Sequence, residues 1–386
     1  MNYQLSEEEK MLQKTAADFA NKTLAAVAVE SNENGEFQDD IYKKLGELGF
    51  LGMTVPEKYG GVDFGNFSLT LSIEQISRVC ASTAVAMSVH NSLTNWVILK
   101  YGSDENREKY LPRLASGEIL GAYALTEPSA GSDIGAINTS AVRKDDNYIL
   151  NGSKLFVSTG DKAGAIIVFA RTDPDDRNRG LSAFIVEPGF PGFSIGKVEK
   201  KMGLKASSTV ELVFEDCVVP ASNLLSEEGR GMGIALSALD GGRIGIASQA
   251  LGIGQAAFEE AIKFAGARKQ FGKRIIDLQP TKWKLAEIAT KLEAARLLVY
   301  SAARRRDMGD TSTKQISMAK LFATRAANEI VYDSLQIHGG VGYTSEFLIE
   351  RLYRDARALE IYEGTSEIQK LVISREILKE YSHLLS

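Results

Sequence analysis

The chain has 386 residues, with 44% hydrophobic and 25% charged residues, a globular composition long enough for two or three domains. Its net charge of −5 favours neither nucleic acid nor an anionic membrane surface as a partner. Two cysteines, Cys80 and Cys217, cannot make a disulfide framework and fit a reducing compartment, and no apolar run approaches the ~18 residues of a membrane span.

In chain order, Met1-Asn2-Tyr3-Gln4-Leu5 lacks the basic and apolar regions of a secretion signal, and no Arg occurs in the first seventy residues. A cytoplasmic, bacterial protein is expected. Residues 1–120 read as a helical domain. Ser6 with Glu9 forms a capping box, followed by Leu12, Ala16, Phe19 and Ala20 at helical spacing. Asp39–Leu45 opens a second helix, ended near Gly49, and Val55–Gly61 is a loop. Leu69–Arg78 and the long apolar stretch Ala81–Tyr101 follow as helices, then a short one over Asp104–Leu114, closed by Gly117.

Residues 121–226 read as a β domain. Strands are expected at Ala165–Ala170, Leu181–Val186 and Val210–Phe214, and Asn151-Gly152 predicts a hairpin turn. The polar run Thr172–Gly180 is a loop. Short strands with turn signals between them imply an antiparallel sandwich or barrel. Residues 227–386 return to the helical period. Gly231–Gly266 is a long stripe of small residues. Pro280 opens a second helix with Trp283, Leu285, Ile288, Leu292, Ala295 and Val299 on one face. Ile316, Ala319, Phe322, Ala326 and Ile330 mark a third, and together they imply a helical bundle. The expected fold is thus α+β and multidomain: helices, a β domain, then a four-helix bundle.

Several stretches carry chemistry. Glu363 stands in Ile361-Tyr362-Glu363-Gly364-Thr365-Ser366-Glu367, with apolar residues before it and a glycine after it. In a closed site such a carboxylate is poorly hydrated, which makes it a base near neutrality. In the open it is an ordinary solvated glutamate. Thr365 and Ser366 form an N-cap pair, and the helix they open offers N–H groups to an anion. Thr126–Asp133 is a small-residue loop that can wrap a cofactor or serve as a polar linker. Gln336–Tyr343 places three glycines at a helix end. It can cradle a phosphate or cap the helix, and it lacks the strand and spacing of a dinucleotide fingerprint. Arg268 ends a helix and can pair with a phosphate or with the helix dipole. Gly192-Phe193-Ser194-Ile195-Gly196 matches a hydrolase elbow, but its strand-like surroundings make it a turn between strands. His90, His338 and His383 show no ligand spacing, so no metal is expected. Arg304–Arg306 reads as a solvated helix end.

Together, Ala124–Asp133, Gln336–Tyr343 continuing through Glu346, Arg351 and Asp355, and Ile361–Thr365 resemble the acyl-CoA dehydrogenase family, closest to its short-chain, butyryl-CoA-type members. The resemblance implies a homotetramer with non-covalent FAD, an acyl-CoA substrate, and electrons passed to an electron-transfer flavoprotein. Glu363 would remove the α-proton while the β-hydrogen leaves as hydride to flavin N5. The N–H of Glu363 and a flavin ribityl hydroxyl would hold the thioester oxygen. Tyr123, Leu125, Thr126 and Ser132 would line the flavin, and Phe156, Val157 and Ser158 would pack on its ring system. Arg268, Gln270, Phe271 and Gln279 would hold the FAD tail of a neighbouring subunit, with Gln336, Gly339 and Gly340 at the adenosine end. Thr365 and Glu367 would touch phosphate or ribose. Ser132, Asp240, Arg243, Gly364 and Arg375 would meet the substrate or its CoA part.

The chain departs from the family's usual Trp-Ile-Thr at Phe156-Val157-Ser158. Members that carry their base near Gly242 are set aside, because glycine cannot serve. Ala84 stands where dicarboxylate enzymes carry Arg. Met87 and His90 are candidates for the acyl-pocket floor. A branched or cyclic acyl-CoA dehydrogenase, an acyl-CoA oxidase, an enoyl-CoA reductase and a non-enzymatic helical scaffold stay open as alternatives.

Overall fold

The computed structural model describes residues 4–36, 38–177, 179–310 and 313–384. Met1–Tyr3 of the signal reading and Asn178 of the polar loop lie outside them. Seven helices come first: α1 (Glu7–Phe19), α2 (Ala25–Asn34), α3 (Asp39–Glu47), α4 (Gly65–Val79), α5 (Ala81–Ser88), α6 (Trp96–Tyr101) and α7 (Asp104–Ala115). Ser6 caps α1 as expected, its Oγ accepting from Glu9 N at 3.1 Å while Ser6 N donates to Glu9 Oε2 at 2.8 Å.

The stretch expected as one helix over Ala81–Tyr101 is split by a π-helical turn, Val89–Asn95. Its polar side chains are drawn off to neighbouring backbone. Asn91 and Asn95 donate to the carbonyls of Phe50 and Leu51, and Thr94 donates to Ala122 O. His90 lies between Leu114 O and Gly121 N, both at 3.1 Å. Burial pushes its imidazole down to about 4, which favours the neutral ring. Met87 is fully buried in the cluster that joins α1, α3 and α4.

The β domain has β1 (Leu120–Ala124), β2 (Ser140–Lys144), β3 (Asn147–Ser158), β4 (Ala163–Arg171), β5 (Leu181–Val186), β6 (Phe193–Val198), β7 (Thr209–Pro220) and β8 (Leu224–Leu225). Their order is β6-β7-β3-β2-β4-β5-β8, with β1 beside β4. Pairing is mostly antiparallel, but β1 and β2 each meet β4 in parallel. Asn151-Gly152 is not a hairpin turn. It lies inside β3, where the register shifts, and Asn151 exchanges two hydrogen bonds with Asp216 on β7. The turn falls at Asp145-Asp146 instead, with Asp145 at φ 54°. The strand expected at Val210–Phe214 is longer, running from Thr209 to Pro220. Ser194 lies within β6 rather than in a turn, which removes the elbow reading altogether.

The last part holds α8 (Gly231–Ala267), a short hairpin of β9 (Lys269–Gln270) and β10 (Lys273–Arg274), α9 (Gln279–Asp307), α10 (Thr313–His338), α11 (Leu348–Ala358) and α12 (Ser366–Glu380). Small residues on α8 let helices close in. A Cβ at Gly245 would collide with Ser88, and one at Gly252 with Ser77. Trp283 and Phe322 are partly or largely exposed, so the buried faces of α9 and α10 are narrower than the sequence suggested. Nor is Arg304–Arg306 a solvated end. Arg304 pairs with Glu9 at 2.6 Å and sits 3.5 Å over the Phe67 ring, and Arg306 lies 5.2 Å over Trp96.

One buried ion pair ties the loop after β1 to β3. Lys154 Nζ meets Glu127 Oε1 at 2.6 Å, and both side chains are almost fully buried. The carboxylate also accepts the N–H groups of Asn138 and Thr139. Burial opposes ionisation of Glu127, yet Lys154 and these donors hold its pKa below the usual value. Lys154→Met should therefore cost about 3–5 kcal/mol by stranding the carboxylate, and Glu127→Gln/Lys154→Met should cost less than that single change; chemical denaturation of the three proteins checks this.

Candidate active site

The loop between α11 and α12 carries Glu363. Thr365 caps α12, its Oγ accepting from Ile368 N at 3.3 Å, and Ser366 is the first helical residue. Two successive residues adopt left-handed backbone, Glu363 at φ 53° and Gly364 at φ 89°. For glutamate this is strained and needs outside support. The Gly364 carbonyl supplies it, accepting from Lys320 Nζ on α10 at 2.8 Å and from Gln369 Nε2 on α12 at 2.9 Å.

The turn aims the Glu363 side chain at α8. A Cβ on Gly242 would lie 2.9 Å from Glu363 Cδ and 3.1 Å from Leu93 Cδ2, so the carboxylate rests where a side chain is missing. Glu363 as a whole keeps some exposure, but its Oε2 has no accessible surface and no hydrogen-bond partner. Burial pushes the carboxyl up to about 7, against the pull of Lys320 and Arg243. The Glu363 N–H makes no hydrogen bond among the described residues.

Around this base stand Arg243, Asp240 and Tyr123. Arg243 Nη1 donates to Asp240 Oδ1 at 2.8 Å, and Thr313 Oγ1 donates to Asp240 Oδ2 at 3.1 Å. Arg243 Nε, Ser366 Oγ and Gln369 Oε1 are buried without partners, like Glu363 Oε2. Four such orphans around one loop are the pattern of a site that awaits a polar ligand. The Tyr123 hydroxyl lies 3.4 Å from Ala235 O, and its pKa is raised by burial and by Glu363. Tyr362 donates to Gln249 Oε1, and Gln249 Nε2 donates to Ala81 O at 2.7 Å.

The β domain brings a second group together. Leu155 N donates to Thr126 O at 2.8 Å, which sets the loop of Leu125 and Thr126 beside β3. Phe156, at φ 56° and 61% exposed, presents its ring to solvent. Val157 is turned into the β core, so only its main chain can face a ligand; Ser158 is half-buried. Ser132 is exposed on the same loop as Thr126.

The remaining candidates are elsewhere. Arg268, Gln270, Phe271 and Gln279 are exposed at the far end of α8, about 39 Å along the helix from Gly242. Gln336, Gly339 and Gly340 are exposed at the same end, where Phe264 stacks on His338 at 4.4 Å. No single dinucleotide spans that distance, so one chain does not join these residues to Glu363. Glu367 and Arg375 are exposed on α12, Arg375 paired with Glu376 at 3.2 Å.

Sequence reasoning missed Lys320, Gln249 and Gln369. Lys320 did leave a signal: a lysine amid the buried stripe Ile316, Ala319, Ala323 and Ala327 of α10. A charge is rarely buried unless it is paired. Gln249 gave none, because its partners Ala81 and Tyr362 are distant in sequence, and Gln369, though it bonds to Gly364 only five residues back, looks like any polar residue in the first turn of a helix.

The chain matches the acyl-CoA dehydrogenase N-terminal domain model over residues 6–118, the middle domain over 122–217 and the C-terminal domain over 229–378. It is 47% identical to acryloyl-CoA reductase (NADH) of Anaerotignum propionicum, over 98% of this chain and 96% of that one. Among solved structures it is similar to butyryl-CoA dehydrogenase from Megasphaera elsdenii, with TM-score 0.96, 41% identity, and 98% and 100% of the two chains covered. It is also similar to a chain in a structure described as "Electron transferring flavoprotein of Acidaminococcus fermentans: Towards a mechanism of flavin-based electron bifurcation", with TM-score 0.97, 45% identity and the same coverage. The chain belongs to the acyl-CoA dehydrogenase family and is an FAD-dependent oxidoreductase acting on acyl-CoA thioesters.

Proposed function

We propose that the protein converts a short-chain acyl-CoA to its trans-2-enoyl-CoA, with Glu363 removing the α-proton. The observation that carries this is the desolvated Glu363 carboxylate beside its own unpaired main-chain N–H. The carboxylate takes the proton, while the N–H is free to donate to the thioester oxygen as negative charge develops there. When bound, FAD would supply the electron sink for the β-hydrogen. The residues present fit that cofactor: an exposed Phe156 ring to stack on it, hydroxyls at Thr126, Ser132 and Ser158, the apolar wall of Tyr123 and Leu125, and the capped N-terminus of α12 at Thr365 and Glu367. Asp240, Arg243, Gly364 and Ser132 meet the substrate and its CoA part, with Arg375 farther out. A second copy of the chain supplies Arg268, Gln270, Phe271, Gln279, Gln336, Gly339 and Gly340 to the cofactor tail, which favours a homotetramer over a monomer.

The short-chain reading is supported by the butyryl-CoA dehydrogenase relative and by Gln249. Gln249 lies two turns from Gly242 on α8, about 10 Å along it, where its bridge from Tyr362 to Ala81 closes the way onward. Likeness to the Acidaminococcus fermentans chain supports an electron-transfer flavoprotein as acceptor. The acryloyl-CoA reductase relative favours one second reading, the same chemistry run in reverse with NADH as the ultimate donor. Oxidation of NADH by this chain with an enoyl-CoA, once an electron-transfer flavoprotein is added, would mark that direction.

Glu363→Gln should keep bound flavin but lower turnover of butyryl-CoA by roughly 10²–10⁴-fold; steady-state assay with an artificial acceptor measures it, and full activity would sink the assignment. Because the base must be ionised, kcat/KM should fall as pH drops through about 7. Gln249→Gly should raise kcat/KM for octanoyl-CoA relative to butyryl-CoA by about tenfold or more, read from a panel of thioesters.

A further inference from the structure

Lys320 is a lysine with no exposed surface in the middle of α10, and its ammonium reaches no carboxylate within salt-bridge distance among the described residues. It donates instead to Gly364 O, one residue after Glu363. A charge this deep is costly unless its neighbourhood repays it. We propose that Lys320 is a positioning residue for the base: its ammonium clasps the carbonyl that ends the left-handed turn, and it faces the Glu363 carboxylate with a fixed positive charge that keeps it ionised at working pH. The inference rests on Glu363 acting as the base and names what holds it.

Three observations support it. The turn is strained at Glu363, and among the described residues the side chains that clasp it are Lys320 Nζ and Gln369 Nε2, on the same oxygen. Gln369 gives the geometry without charge, whereas Lys320 gives both. The charged groups facing Glu363 are few. Lys320 comes from α10 and Arg243 from α8, while Tyr123 on β1 and Tyr362 on the loop are un-ionised neighbours. Arg243 is partly neutralised by Asp240, with Arg306 near that carboxylate, so Lys320 is the less compensated cation. Lys320 in turn faces Glu363, Arg243, Glu360 and Glu367, and burial brings its own pKa down to about 8. It is therefore still charged at neutral pH.

A merely structural lysine and a charge-setting one differ in the pH profile. Removing a facing positive charge raises a carboxylate's pKa, so the acid limb of kcat/KM must move to higher pH. In the flavin-loaded enzyme assayed with butyryl-CoA, Lys320→Met and Lys320→Gln should each move that limb up by roughly one pH unit, about a tenfold loss of kcat/KM at the acid end. Lys320→Arg should leave the limb in place. Gln369→Leu should lower kcat without moving it. An unmoved limb in the flavin-loaded Met and Gln variants would overturn the proposal. So would loss of flavin in both of them and not in the Arg variant, since the lysine would then serve only folding. Activity surviving in Glu363→Gln would instead overturn the base assignment itself.

Discussion

The arrangement depends on one contact: a carboxylate laid against the bare backbone of a helix. Gly242 has no side chain, so Glu363 can lose its water there without colliding with α8. Desolvation then makes a weak acid into a base usable near neutrality. Almost every neighbouring feature serves that contact. Small residues along α8 bring α5 and the π-helical turn close enough to shut the site, with Leu93 as its apolar wall. The carbonyl after Glu363 is pinned from α10 and α12 at once, which supports the strained turn.

The β domain answers the helices from the other side. Tyr123 at the end of β1 reaches α8 and senses Glu363. The loop that follows it is held by the buried Glu127–Lys154 pair and by a backbone bond from Leu155 to Thr126. The same short segment of β3 then turns Phe156 outward on left-handed backbone and Val157 inward. A rigid platform for a planar ring and a closed pocket for a base thus come from separate layers, joined where β1 meets α8. The groups at the far end of α8 and α10 belong to neither, which is why a second copy enters the proposal.

Much of this was legible in the sequence, because local physics decided it. The capping box at Ser6 and Glu9, the strand Leu181–Val186 and the long helices follow from periodicity and end signals that tertiary packing did not override. The apolar approach to Glu363 and the glycine after it left open whether the carboxylate is closed off or solvated, and its packing against Gly242 decided it. What failed was decided by partners distant in the chain. Asn151-Gly152 has the composition of a turn, but Asp216 on β7 captures the asparagine and the glycine becomes a bulge. The π-helical turn owes its shape to carbonyls of the Phe50–Leu51 loop. Lys320 stands out in sequence only as a lysine on the buried stripe of α10, and its partner, Gly364 O, is set by the fold.

Base strength at a desolvated carboxylate can be observed apart from electron transfer, by following exchange of the α-hydrogens of an acyl-CoA analogue that cannot release a β-hydride. In deuterated buffer, NMR should show exchange catalysed by the flavin-loaded enzyme, rising with pH through a midpoint near 7 and abolished in Glu363→Gln. Exchange that persists in that variant, or that titrates near the ordinary glutamate pKa of about 4.3, would contradict a buried Glu363 as the group that takes the proton.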